Sequence, residues 1–125
     1  MVDAKTTDAK VKRIEKGNSK SFIDFLLWVL CLYTKYRKIS LYVDNAKWHK
    51  SKEVKKFLSK NKKICLYFFP TYSPELNPTE WEWHELRRLA THTRRFQSDE
   101  ECWQTIQEHF QTRKGKNKHF LCQIN

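Results

Sequence analysis

The stretch Pro70–Trp83, P-T-Y-S-P-E-L-N-P-T-E-W-E-W, holds all three prolines of the chain and two of its five tryptophans. It follows directly on the apolar run I-C-L-Y-F-F, Ile64–Phe69. A run rich in β-branched and aromatic residues predicts a strand, and three prolines after it force the chain out of the sheet. Asn77 is a good N-cap, Pro78 suits the first helical turn, and Glu80 falls at the third helical position. There its carboxylate can reach back to free backbone N–H groups, which is reason enough for a glutamate. The sequence thus predicts a strand, a turn and a helix, with one acid at the junction whose role is either capping or chemistry.

Working outward, Ile39–Asp44 (I-S-L-Y-V-D) alternates apolar and polar residues and ends on an acid, as a strand running into a turn does. Between the two strands Ser51 caps a helix to about Lys60, with Val54, Phe57 and Leu58 as its buried stripe. Lys62–Phe69 is nearly continuous in apolar residues, which predicts a strand covered on both faces. Upstream, Phe22, Phe25, Leu26, Val29, Leu30 and Tyr33 recur at helical spacing from Ser19 or Ser21 to about Tyr36. Downstream, a helix from Pro78 to about Ala90 buries Trp83, Leu86 and Ala90. Another runs from Ser98 to about Phe110, with Glu101 as capping-box partner and Cys102, Ile106 and Phe110 on one face. Ala9–Ile14 has a weak strand pattern. Helix, strand, helix, strand, helix predicts an α/β fold with the two strands parallel through a right-handed crossover.

A chain of 125 residues has room for one core and one domain. Residues 1–8 read as a flexible N-terminus, 9–112 as the folded part and 113–125 as a basic tail. Lys and Arg number 25 against 14 Asp and Glu, a formal charge of +11, which points to a polyanionic partner, nucleic acid first. Cys31, Cys65, Cys102 and Cys122 are too scattered for a zinc site and read as reduced thiols. The longest apolar stretch, Phe25–Tyr33, is too short to cross a bilayer, and no signal-peptide arrangement precedes it. The expectation is an intracellular protein, neither secreted nor in a membrane.

Two carboxylates carry the candidate chemistry. In a parallel sheet, functional groups gather at the carboxyl ends of the strands, which is where Asp44 falls. Glu80 follows the next strand. If the strands are neighbours, the two acids can face one space and offer hard oxygen ligands suited to Mg²⁺ or Mn²⁺. Strand-end Asp and helix-capping Glu are also common without any metal, and the residues alone leave both readings open.

The words V-D-N-A-K-W-H-K-S (Val43–Ser51) and Pro70–Trp83 resemble the catalytic motifs of DDE transposases, in the insertion-sequence branch of the mariner superfamily. The likeness covers about residues 9–112. Asp44 matches that family's second catalytic acid and Glu80 its third. Asn45 and His49 match its D-N-x-x-x-H pattern, and Trp83 its tryptophan one turn after the glutamate. The resemblance implies a partial ribonuclease-H-like (retroviral-integrase-like) fold lacking the first strands of the sheet. It implies a Mg²⁺- or Mn²⁺-dependent endonuclease and strand transferase acting on transposon ends and target DNA.

Departures from the pattern matter as much. The family's first acid sits on a strand far upstream, and no residue before Asp44 takes its place. Asp24 lies in the first predicted helix, which points the wrong way, and Asp3 and Asp8 lack an apolar strand to carry them. The expectation is an N-terminally truncated transposase with weak metal binding, inactive alone. The alternative is a non-enzymatic DNA-binding remnant that assembles or competes with a full-length transposase. An uncovered sheet edge and the apolar face of Phe22–Tyr33 would favour self-association or pairing with that transposase. Trp81, Glu82 and Thr71 also depart from the family's usual residues.

DNA-contact candidates are Asn45, Lys47, Trp48, His49 and Lys50 beside Asp44, and Arg87, Arg88, Arg94 and Arg95 beyond Glu80. Guanidinium groups grip phosphate bidentately, and lysines supply charge to the DNA backbone or simply a solvated face. Trp48 is better placed to stack on a base than Trp83, which falls at core spacing. His49 could orient a water, contact a phosphate, or be an ordinary surface histidine.

Overall fold

Apolar alternation along Ile39–Val43 and the continuous apolar run Ile64–Phe68 build two strands, β1 and β2, which pair in parallel from Ile39↔Ile64 to Val43↔Phe68. This is a computed structural model, and it describes residues 1–6 and 8–113. Cys122 and the expected basic tail, from residue 114 on, lie outside the described residues. The parallel pair and the helices around it agree with the expected α/β class. Helix α1, Ser19–Leu32, precedes β1, and α2, Lys52–Lys60, connects the strands. Helices α3, Pro78–Leu86, and α4, Asp99–Thr112, follow.

The chain divides into two compact units, one Ile14–Ser73 and the other Met1–Arg13 with the chain from Pro74. The expected single core is therefore corrected: each unit buries its own apolar residues. The division falls where the proline-rich turn interrupts regular hydrogen bonding. Tyr72 in that turn has φ 60° and is 96% exposed, the sole non-glycine residue at positive φ among those described.

In the first unit, Phe22, Leu26, Val54 and Ile64 form the buried centre. Ile39, Leu41, Val43, Phe57, Leu58 and Leu66 pack around it. Burying a side chain such as Leu26 or Val54 completely contributes about 1.5–3 kcal/mol. The strand residues in this core are alternate ones, so β1 and β2 turn one face to α1 and α2. Tyr42 and Tyr67, opposite each other in register, stack on the other face with centroids 5.1 Å apart and remain 60% and 42% exposed. The expectation that β2 is covered on both faces is corrected: Tyr67 and Phe68 stay partly exposed, and a tyrosine ring with its polar hydroxyl tolerates an open face better than an aliphatic chain does.

Helix α1 starts at Ser19, the earlier of the two expected starts, and its cap is Asn18. Asn18 accepts from the Ser21 N–H and Ser21 Oγ accepts from the Asn18 N–H, a reciprocal box that closes both donors. Ser51 caps α2 as expected, accepting from the Val54 N–H.

In the second unit Leu86 and Phe110 are buried, and Trp83 meets Phe110 edge-on at 6.3 Å. Trp83 nevertheless stays 41% exposed, and Glu82 and Glu85 join Leu86 as the buried residues of α3. Of the expected inward stripe, Leu86 is buried as expected, while Trp83 and Ala90 are corrected. After Leu86 the helix widens into a π turn, Arg87–Thr91, which shifts the phase and leaves Ala90 only half-buried. Ser98 caps α4 by accepting from the Glu101 N–H, while Glu101 reaches back to the Gln97 N–H. The weak strand expected over Ala9–Ile14 reduces to an isolated antiparallel bridge, Val2↔Ala9. Among the described residues no helix is long and apolar enough to cross a membrane.

Candidate functional site

Strand β1 ends at Val43, and the next residues turn on their own side chains. Asp44 Oδ1 accepts from the Ala46 N–H at 3.1 Å, and the His49 N–H donates to the Ala46 carbonyl at 3.0 Å. A short 3₁₀ turn over Lys47–Lys50 results, and it folds His49 back onto Asp44. His49 Nδ1 lies 3.0 Å from Asp44 Oδ1 and 3.2 Å from the Asp44 carbonyl oxygen. Both neighbours are acceptors, so Nδ1 must carry the proton. The imidazole is only 13% exposed and rests on Phe22 with centroids 4.0 Å apart, while the Asp44 side chain is 65% exposed. His49 is thus no loose surface histidine. It is anchored in the core of its unit and holds the acid from behind.

Asn45 joins the ends of the two strands. Its amide donates to the Phe69 carbonyl at 2.6 Å and its oxygen accepts from Lys50 Nζ at 2.6 Å. The Lys50 ammonium also sits 4.7 Å above the Phe68 ring. Asn45 and Lys50, expected as DNA contacts, are therefore engaged within the unit. Lys47 is exposed, and Trp48 is 42% exposed with its indole against Gly17 and the edge of His49.

Glu80 lies in the other unit, at the third position of α3. The capping expected of it is not made. Asn77 accepts from the Thr79 N–H at 3.1 Å, and the Asn77 N–H donates to the Pro74 carbonyl at 3.0 Å, within a 3₁₀ turn over Pro74–Leu76. No donor is left for Glu80 to reach, and its exposed carboxylate accepts no hydrogen bond among the described residues. Asp44 Oδ2 is likewise unused by protein groups among the described residues. Each carboxylate thus keeps oxygen lone pairs of the kind a hard divalent cation takes. Within either unit, among the described residues, no group of three or more His, Cys, Asp or Glu side chains gathers around one point.

The four arginines, Arg87, Arg88, Arg94 and Arg95, are all exposed. Arg88 is committed to Glu85, Nε to Oε1 at 3.0 Å and Nη2 to Oε2 at 3.1 Å. Arg113 adds a bond to Glu85 Oε2 at 3.1 Å. Hydrogen bonds from Arg88, then Arg113, hold the Glu85 carboxyl down at about 2. Burial pushes Glu82 up, and burial followed by the Arg113 charge pushes His109 down. This charged interior was not anticipated from the sequence, although the Glu85-x-x-Arg88 spacing carries its outer half.

Residues 1–102 match the family described as DDE superfamily endonuclease. This chain belongs to that family. A relative in Shigella sonnei, named as the insertion element IS630 uncharacterized 39 kDa protein, is 35% identical over 95 residues. The match covers 74% of this chain and 27% of that relative, so the DDE domain described here spans about a quarter of its length. Asp44 and Glu80 both fall within the matched residues.

Proposed function

We propose that this chain supplies the second and third acids of a DDE transposase site, Asp44 and Glu80, within a partial ribonuclease-H-like fold. The observation that carries the reading is the state of Glu80. It stands at a capping position, yet the cap is completed without it, so local structure does not explain the residue. Asp44 supports the same reading, because one of its oxygens is held by Ala46 and His49 while the other is left for a ligand.

Asp44 and Glu80 would hold Mg²⁺ or Mn²⁺, which when bound polarises a phosphodiester and lowers the pKa of attacking water. His49 orients Asp44, Asn45 fixes the strand end that carries it, and Arg87, Arg94 and Arg95 supply charge for the phosphate backbone. Two acids where the family uses three make for weak metal binding, so the chain alone is expected to bind DNA without cutting it. Its partners are transposon-end and target DNA, with further copies or a full-length transposase completing the assembly.

The test is Mn²⁺ binding and nicking of duplex DNA bearing the element's ends, with wild type, Asp44→Asn and Glu80→Gln. Each substitution should weaken Mn²⁺ binding about tenfold or more, and no form should nick. Nicking that requires both acids would overturn the inactivity. Unchanged Mn²⁺ binding in both variants would overturn the metal site and leave a DNA-binding remnant.

A further inference from the structure

The segments T-K-Y-R-K, residues 34–38, and K-N-K-K, residues 60–63, contain six cations and no acid. Each precedes a strand, and the parallel register Ile39↔Ile64 brings the two segments side by side at the amino-terminal end of the sheet. Two further bonds tie them together. The Ile39 N–H donates to the Lys63 carbonyl at 2.7 Å, and Lys63 Nζ donates to the Tyr33 and Thr34 carbonyls at 2.8 and 2.9 Å. Lys63 is thereby used to close the carboxyl end of α1, where carbonyls lack helical partners.

The other five cations, Lys35, Arg37, Lys38, Lys60 and Lys62, are exposed, and none makes an ion pair among the described residues. Asp44 lies at the far end of β1, roughly 15 Å away along a five-residue strand. We propose that this amino-terminal end of the sheet is a second, sequence-independent contact for duplex DNA, separate from the contact at the Asp44 end. Five uncompensated cations on two joined loops suit a polyanion. With no enclosing cavity and mostly lysine point charges, the surface favours a phosphate backbone over a small anion. The inference stands on charge and register, independently of the metal site.

The experiment measures binding of the full 125-residue chain to a fluorescent duplex of arbitrary sequence by anisotropy, across about 50–200 mM salt. One variant changes Lys35, Arg37, Lys38, Lys60 and Lys62 to Gln. A second removes the same charge at exposed Lys16, Lys20, Lys52, Lys55 and Lys56. A third keeps the charge, exchanging Lys for Arg and Arg37 for Lys. The first should lose about 4 from the slope of log K against log salt, at roughly 0.9 per phosphate contact, while the second loses less than half of that. The third should keep the wild-type slope, which separates lost charge from lost folding. Equal losses in the first two variants, or loss in the third, would overturn the inference. So would an unchanged duplex slope in the first variant with lost binding to polyglutamate, which would mark the surface as one for an acidic protein.

Discussion

His49 shows how one side chain can belong to the core and to the proposed site at once. Its ring is packed on Phe22, so His49→Ala would open a cavity and confound any reading of its polar role. His49→Phe keeps the packing and removes the donor, whereas His49→Asn sets an amide N–H near the position of Nδ1. We expect Mn²⁺ affinity to fall about tenfold in His49→Phe and to recover in part in His49→Asn, as read by electron paramagnetic resonance. Equal loss in both would reduce His49 to packing. Glu85 gives a prediction of a different kind, tied to pH. Its carboxyl is held at about 2 against an ordinary 4.5. A depressed acid contributes stability that is complete above about pH 4.5 and is lost as pH falls toward 2. Glu85→Gln should therefore lower the melting temperature by several degrees at neutral pH. The gap to wild type should close between pH 4.5 and 2 in calorimetry, and a gap independent of pH would contradict the role given to the two arginines.

At the level of elements, α2 illustrates what was legible beforehand and what was not. Its cap at Ser51 and its inward Val54 follow from sequence, because local hydrogen bonding and a 3.6-residue period are both written in consecutive residues. So are β1, fixed by its alternation, and β2, fixed by its apolar run, with the helical connection between them making them parallel. Helix α3 resisted the same reading. Its apolar residues suggest one buried face, but Glu82 and Glu85 turn inward. The second arginine that bonds Glu85, Arg113, is 28 positions further along. Long-range charge pairing leaves no periodic trace, and neither does the π turn that ends the helix. For the site, Asp44 and Glu80 were legible as motif positions. The support of Asp44 by His49 was not, because a 3₁₀ turn decides which way the imidazole faces. Removing the fully buried Val54 by Val54→Ala should cost about 1–3 kcal/mol in urea unfolding. Protection of β1 and β2 amides should fall with it, since both strands pack on the same centre. A cost near zero would mean that α2 does not hold the sheet.

For the molecule as a whole, the two acids belong to different compact units, Asp44 to Ile14–Ser73 and Glu80 to the chain from Pro74. The proposal that they serve one ion therefore makes a claim that neither unit makes by itself. A double-mutant cycle on Mn²⁺ binding isolates it. If one ion takes an oxygen from each acid, removing the first ligand already forfeits most of the site. Asp44→Asn with Glu80→Gln should then lose little more than either single variant, and the coupling free energy should be large, in the upper part of the roughly 0.5–3 kcal/mol found for interacting residues. If each acid instead attracts cations separately, the losses add and the coupling vanishes. Isothermal titration at fixed ionic strength distinguishes the two, because the +11 charge of the chain changes by the same amount in either single variant. Additive losses would place the two carboxylates in separate environments and remove the shared site, while leaving family membership, which rests on the match over residues 1–102, untouched.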